Sequence, residues 1–432
     1  MLNSERKPTD YSVAVDHIRF LWSKGFMSAP ATTLRQDVKV MGLVGAAHWA
    51  SHFFQLVLPA LFLFLRDEFQ VSFAALGLLT TLLYGASGLA QTPAGFLVDR
   101  FGARTVLLSG LTLASLATLA VGLVQNYWLL MPLAVLAGLG NSVFHPADLA
   151  ILTSKVSPHR LGRGYATHAL CGNLGWAAAP ILMIGLAEMW NWRVAIMVAG
   201  IIGLAIVAAF LIWGTDLEDQ SEDARQPGAQ EKIPMGRLAD NMRLLMSTTI
   251  ISCFLYFAFL AAATIGIQSF GIPAMVEMFG MTLAEAGRGI TGFLLGTAAG
   301  IFIGGFAADR TDRHDRIAIV GMTTAVIFIL FVAVNDLSAS MVLVLLVFAG
   351  AASGITTPSR DMLVRAATPR GASGRVFGFV YSGLDLGSCL VPPVLGWALD
   401  HGHPEVIFYS AAGFFCITIF TVMQVRRQVV TA

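Results

Sequence analysis

The sequence predicts an all-helical membrane protein: twelve transmembrane helices in two pseudo-symmetric six-helix bundles. Three observations carry that reading. Of the 432 residues, 56% are hydrophobic and only 12% are charged, whereas a soluble domain carries about 45–50% apolar and about 25% charged residues; mean hydropathy is +0.72. The apolar residues fall in repeated runs near the ~20 residues that cross about 30 Å of hydrocarbon. The two halves also repeat. Ala137-Gly138 and Pro146 recur as Ala349-Gly350 and Pro358, a shift of 212 that also carries Gly162 to Gly374, Arg163 to Arg375, Gly175 to Gly387 and Pro180 to Pro392.

Taken in order, residues 1–40 carry scattered charge and no early apolar core, so they read as a tail rather than a cleavable leader. Spans near 41–65, 74–97, 105–124, 128–152, 163–186 and 193–213 build an N-terminal bundle over 41–213. The one long polar stretch, with Asp216, Glu218, Asp219, Glu222, Asp223 and Pro227-Gly228, marks a linker over 214–246. Spans near 247–275, 284–307, 317–335, 339–364, 375–398 and 405–425 build the second bundle over 247–425, and 426–432 is a second tail. Pro93, Pro132, Pro146, Pro180, Pro273, Pro358 and Pro392-Pro393 interrupt spans or their ends, where proline bends a membrane helix and frees carbonyls. Gly292, Gly296, Gly300 and Gly304 form a ladder on one helix face, suited to tight packing or to a surface that slides during gating. Cys171, Cys253, Cys389 and Cys416 sit in apolar runs without paired spacing and read as small packing residues.

Lys and Arg set the orientation. Of 27, only Arg66, Arg193 and Arg288 fall on the side of the loops joining spans 1–2, 5–6 and 7–8. Both termini and the linker are therefore expected in the cytoplasm. The net charge of +1 offers nothing for nucleic acid, and lipid is the expected surroundings of the chain.

The most constrained loop follows the second span: Gly95-Phe-Leu-Val-Asp99-Arg100-Phe-Gly102-Ala-Arg104. A degraded copy, Gly305-Phe-Ala-Ala-Asp309-Arg310-Thr-Asp312-Arg313, follows the eighth at a shift of 210. Glycine permits a tight turn, and a carboxylate such as Asp99 accepts from a helix N-terminus or an arginine.

Polar side chains inside spans are costly, about 2.5–3.5 kcal/mol for a charge at the bilayer centre, so they should face a polar path or one another. His48 and His52 share a helix face with Gln55; the fourth span brings Asn141, His145 and Asp148, and the fifth His168 and Asn173. Imidazole titrates near pH 6.5 and can carry protons, or each ring can be structural, bonded to a neighbouring carbonyl. His48-x-x-x-His52 also fits metal ligation, but no cysteine or carboxylate stands beside it in the chain, so no metal is expected. In the second half Gln268, Arg360, Asp361, Tyr381 and Asp385 are the candidates. Asp385 takes the repeat position of Asn173 and is either a second proton site or the partner of Arg360 or Arg365. No Gly-x-x-x-x-Gly-Lys-Ser/Thr loop and no nucleophile elbow occurs. No enzyme activity and no cofactor are expected, and a gradient must drive any transport.

These residues resemble the major facilitator superfamily, whose signature Gly-x-x-x-Asp-Arg-x-Gly-x-Arg is met at Gly95, Asp99, Arg100, Gly102 and Arg104. The resemblance covers residues 41–425 and implies secondary transport of a small molecule by two bundles rocking around a central site. It also implies that the Asp99 loop latches helix 2 to helix 11 in the outward-facing state. Gly140-Asn-Ser-Val-Phe-His145-Pro146 with Gly172-Asn173-Leu-Gly175 is similar to the fosmidomycin-resistance branch, which implies proton-coupled drug efflux by a monomer in a bacterial inner membrane. There are departures. Ala134 stands where many exporters carry arginine, and Gly175-x-x-x-Ala179-Pro180 lacks the glycines that usually follow. Uptake of a small organic anion or a metal-linked solute is the alternative.

Overall fold

The computed structural model describes residues 33–217, 243–311, 313–334, 336–368 and 373–431. The expected N-terminal tail up to residue 32, most of the linker and Asp312 lie outside the described residues. The chain is α-helical. Eleven helices are long and apolar enough to span a bilayer, and one pair bent by 48° supplies a twelfth span.

That bent pair opens the chain. Helix α1 (Leu34–Ala60) starts ahead of the expected residue 41 because Thr33 and Gln36 close a reciprocal capping box on its first turn. Its bend into α2 (Phe62–Phe69) falls just past Pro59. Helix α3 (Phe73–Phe101), capped by Ser72, meets α4 (Ala103–Val121) with only Gly102 between them. Gly102 sits at φ 84°, a conformation that side chains with a Cβ rarely adopt, which explains the glycine in the signature loop. The fourth span is broken into α5 (Tyr127–Asn141) and α6 (Phe144–Lys155), ahead of His145-Pro146. Helices α7 (Leu161–Met189) and α8 (Trp192–Trp213) complete the first half. The second half comprises α9 (Thr248–Phe279), α10 (Leu283–Ala308), α11 (His314–Val334), α12 (Ala339–Ala367), α13 (Ser373–Leu390), α14 (Pro392–Asp400) and α15 (Val406–Thr431). The Pro392-Pro393 pair breaks the eleventh span, as proline without a backbone N–H must.

Repeat-related glycines make repeat-related contacts. A methyl on Gly138 would strike Leu83 O, and one on Gly350 would strike Phe293 O. A methyl on Gly175 would meet Trp49 O, and one on Gly387 would meet Ala258 O. The same helix pairs are thus drawn to backbone contact in each half. The glycine ladder of α10 packs on α12: methyls on Gly296, Gly300 and Gly304 would strike the carbonyls of Val347, Ala351 and Ile355. Both helices belong to one half, so the ladder is packing within a bundle rather than a sliding surface between halves. Cys171, Cys253 and Cys389 are buried or half-buried, but Cys416 is exposed and is not a packing residue.

The halves are joined at the end opposite the signature loops. Phe270 meets Phe62 and Phe73 at 5.5 and 6.3 Å between ring centres. The Asp400 carboxylate accepts from the Phe73 and Ala74 amides at 2.7 and 2.9 Å, so a residue of α14 caps the N-terminus of α3. Thr81 Oγ1 donates to Cys389 O, and Thr291 Oγ1 donates to Ala177 O. Among the described residues, no hydrogen bond joins the halves beyond these toward the signature loops, where Phe96 and Phe302 are 71% and 70% exposed.

Candidate functional site

Two polar groups, one in each half, and a carboxylate at the seam between them make up the site. In the first half, α1, α6 and α7 bring four imidazoles together around Asp148. His168 Nε2 is hydrogen-bonded to Asp148 Oδ2 at 3.1 Å. His48 Nδ1 lies 3.3 Å from the same oxygen without hydrogen-bond alignment. The His48 ring stacks on His168 at 3.5 Å and stands 4.4 Å from His52 and 5.3 Å from His145. Asp148, His48, His52 and His168 are buried, Asp148 completely, whereas His145 is exposed. Gly172 makes this crowding feasible: a methyl there would lie 2.8 Å from both the His48 and the His52 ring. Asp148 Oδ1, His48 Nδ1 and His52 Nδ1 have no hydrogen-bond partner among the described residues.

A neutral hub adjoins this cluster. Asn141 Oδ1 accepts from Ser51 Oγ at 2.7 Å and Gln55 Nε2 at 3.3 Å, and Asn141 Nδ2 donates to Ser87 at 3.0 Å. Gln55 Oε1 accepts from Trp176 Nε1 and Tyr84 OH. Trp176 also stacks on His52 at 4.0 Å. Helices α1, α3, α5 and α7 are thereby tied together by side-chain amides, and the hub reaches the imidazoles through one indole. Asn173 turns away and donates to Ala169 O of its own helix.

In the second half Arg360 Nε donates to Asp361 at 2.9 Å, and its guanidinium lies 4.4 Å over the Phe257 ring. Tyr381 OH donates to the same Asp361 oxygen at 3.3 Å. Gln268 is buried on α9. Asp385 is paired with neither Arg360 nor Arg365: the Arg360 guanidinium is taken by its chain neighbour. Asp385 instead packs against α3, where a methyl on Gly88 would lie 2.8 Å from its Cβ. Among the described residues its carboxylate has no hydrogen bond or ion pair.

The signature loop is open. Asp99 and Arg100 are exposed, Arg100 lies 5.2 Å over the Phe101 ring, and Arg104 is half-buried. Gly95 and Gly305 have free space where a side chain would stand, and the tight turn falls at Gly102. Asp309 and Arg310 are exposed, and Arg313 pairs with the buried Asp315 at 3.3 Å.

The sequence reading placed most of these residues but missed the centre of the first cluster. Asp148 carries no local signal as a neighbour of these histidines, because it is distant in sequence from His48 and His52. The fold brings it against His48 and His168, so the ground for discounting a metal there fails. The repeat held the missing signal, since the shift of 212 takes Asp148 to Arg360. Trp176, Tyr84, Ser51, Ser87 and Gly172 were also missed; uncharged residues in an apolar span carry no signal until the helices are assembled. Asp37 falls in the expected tail, yet it is fully buried and accepts from Ser157 and Arg160.

Two six-helix halves joined at one end, with polar groups facing inside the span, define the class of membrane transporters built from paired bundles. The profile described as Major Facilitator Superfamily matches residues 44–267 and 254–430, and the chain belongs to that superfamily. It is 24% identical over 391 residues to the fosmidomycin resistance protein of Escherichia coli strain K12, covering 89% of this chain and 92% of that one. The cis,cis-muconate transport protein of Acinetobacter baylyi is 25% identical, covering 84% and 88%. A bacterial homolog of the human lysosomal transporter Spinster, inward-facing and occupied, superposes with a TM-score of 0.73 at 17% identity over 92% of this chain and 98% of that one. The nucleoside transporter NupG gives 0.71 at 13% over 91% and 100%.

Proposed function

We propose that this protein is a monomeric, proton-coupled exporter of a small amphipathic compound in a bacterial inner membrane, with both termini in the cytoplasm. One observation carries the coupling: Asp385 stands at the contact between the halves with no partner among the described residues. A charge inside the bilayer costs about 2.5–3.5 kcal/mol, so gain or loss of one proton at Asp385 biases whether the seam stays closed. The titratable groups nearest it are Tyr84 on the facing α3 and Tyr381 and Cys389 one turn away on α13. The Gln55–Asn141 hub and the Arg360–Asp361–Tyr381 group form the two walls against which a compound with apolar and polar faces would lie. The signature loops are parted while the opposite end is joined, which suits an inward-open conformation. The open space over Gly95 is then where helix α13 docks when Asp99 latches the outward-facing one.

The test uses proteoliposomes with an internal pH dye and fosmidomycin, the compound in a relative's name, as first probe, followed by a panel of amphipathic drugs. Addition of a transported compound should move protons in the wild type and not in Asp385→Asn. Compound movement without proton movement in the wild type would overturn the coupling. A second reading, uptake of a small organic anion, is favoured by the Arg360 guanidinium, and labelled cis,cis-muconate is its probe. Accumulation driven by an inward proton gradient would replace export with import.

A further inference from the structure

We propose that His48, His145, His168 and Asp148 form a binding site for one divalent transition-metal ion of the Zn2+ class. One ring nitrogen from each of His48, His145 and His168 lies within 4.8 Å of the others. Asp148 Oδ2 adds a fourth donor, 3.1 Å from His168 Nε2 and 3.3 Å from His48 Nδ1. In a tetrahedral site with metal–ligand bonds of about 2.0–2.1 Å, neighbouring donors stand about 3.3 Å apart. Two edges of that tetrahedron are thus already set; the others contract, and the stacked His48 and His168 rings part, on binding. Imidazole and carboxylate together suit Zn2+, Co2+ or Ni2+ rather than Ca2+ or Mg2+, which take oxygen alone.

The pattern of satisfaction points the same way. His48 Nδ1 and Asp148 Oδ1 are buried without a hydrogen-bond partner among the described residues, although buried polar atoms are ordinarily paired. Gly172 leaves the imidazoles room that any side chain would fill. His145 is the one exposed member, so the ion enters past it. The donors come from α1, α6 and α7, and a bound ion would clamp these three helices. The site does not rest on the transport reading: it concerns equilibrium binding to the first half, and Asp385 is not among its ligands.

The experiment titrates Zn2+ and Co2+ into chelator-stripped, tag-free, full-length protein in detergent, by calorimetry and by visible absorption. One ion per chain is expected, with intense tetrahedral Co2+ bands. Affinity should fall on acidification, because protons compete for imidazole. His145→Ala and Asp148→Asn should each weaken binding by about tenfold or more, whereas His159→Ala with His403→Ala, on the surface, should change nothing. Loss of Zn2+ binding in a variant counts only where its unfolding temperature is kept; the wild-type Co2+ spectrum decides the matter otherwise. Weak octahedral Co2+ bands, no Zn2+ binding, or binding indifferent to His145 and Asp148 would overturn the proposal and leave the cluster a hydrogen-bond network.

Discussion

The two halves share a scaffold and differ in chemistry at matching places. Gly138 and Gly350, and Gly175 and Gly387, draw equivalent helices to backbone contact. On that common frame the position of Asp148 in one half is that of Arg360 in the other, a buried carboxylate in place of a half-buried guanidinium. Asp148 is shared between two imidazoles. Arg360 is held by Asp361, whose side chain is 38% exposed, and by the face of Phe257. Asn173 turns inward on its own helix, whereas its counterpart Asp385 stands at the seam. The duplication kept the residues that set helix spacing and let the polar ones diverge. One half gained a cluster of exchangeable nitrogen donors and the other a fixed ion pair beside an unpaired acid.

The harshest way to break this contrast is to exchange its two poles. Asp148→Arg combined with Arg360→Asp places a guanidinium among four imidazoles and a carboxylate beside Asp361. We expect a loss of about 3–5 kcal/mol, as for a buried charge stripped of its partner, read as a fall in unfolding temperature with no transport. Wild-type-like folding and flux would mean that the halves are interchangeable. Gly172→Ala tests crowding at the first cluster alone. Its methyl would enter contact at 2.8 Å with two rings, for a cost of about 1–3 kcal/mol. Gly185→Ala on the same helix, where nothing lies within 4 Å, should leave thermal unfolding unchanged or raise it slightly. Asp400→Asn weakens the cap that the second half places on the first. A loss of about 1 kcal/mol, roughly a fivefold shift in population, should appear as label distances opening at that end. A smaller loss is expected from Tyr84→Phe, which removes one 3.2 Å hydrogen bond to Gln55, for about 0.5 kcal/mol in unfolding.

Much of the fold was legible because the bilayer imposes length and apolarity on every span, and because glycine and proline mark where helices touch and break. His145-Pro146 and Pro392-Pro393 announced the broken spans. The start of α1 was placed late because Asp37 and Lys39 look like a polar tail; only the fold shows Asp37 buried against Ser157 and Arg160. The site was legible by type and not by partner. The histidines, Gln55, Asn141, Arg360 and Asp385 stand out as polar residues in apolar runs. Which of them meet depends on helix rotation, and a single sequence does not encode that locally. The Asp385–Arg360 pairing failed for this reason: residues on neighbouring spans were matched by charge, while Arg360 was satisfied by the residue next to it.

The central claim is that the charge state of Asp385 sets which end of the molecule is open. Spin labels at Thr105 and Arg316, on the signature-loop end, and at Glu68 and His403, on the opposite end, report both openings in one protein reconstituted in lipid. On acidification the two distances should change in opposite directions in the wild type, and neither should respond in Asp385→Asn. Distances in Asp385→Asn that follow pH as the wild type does would contradict the account.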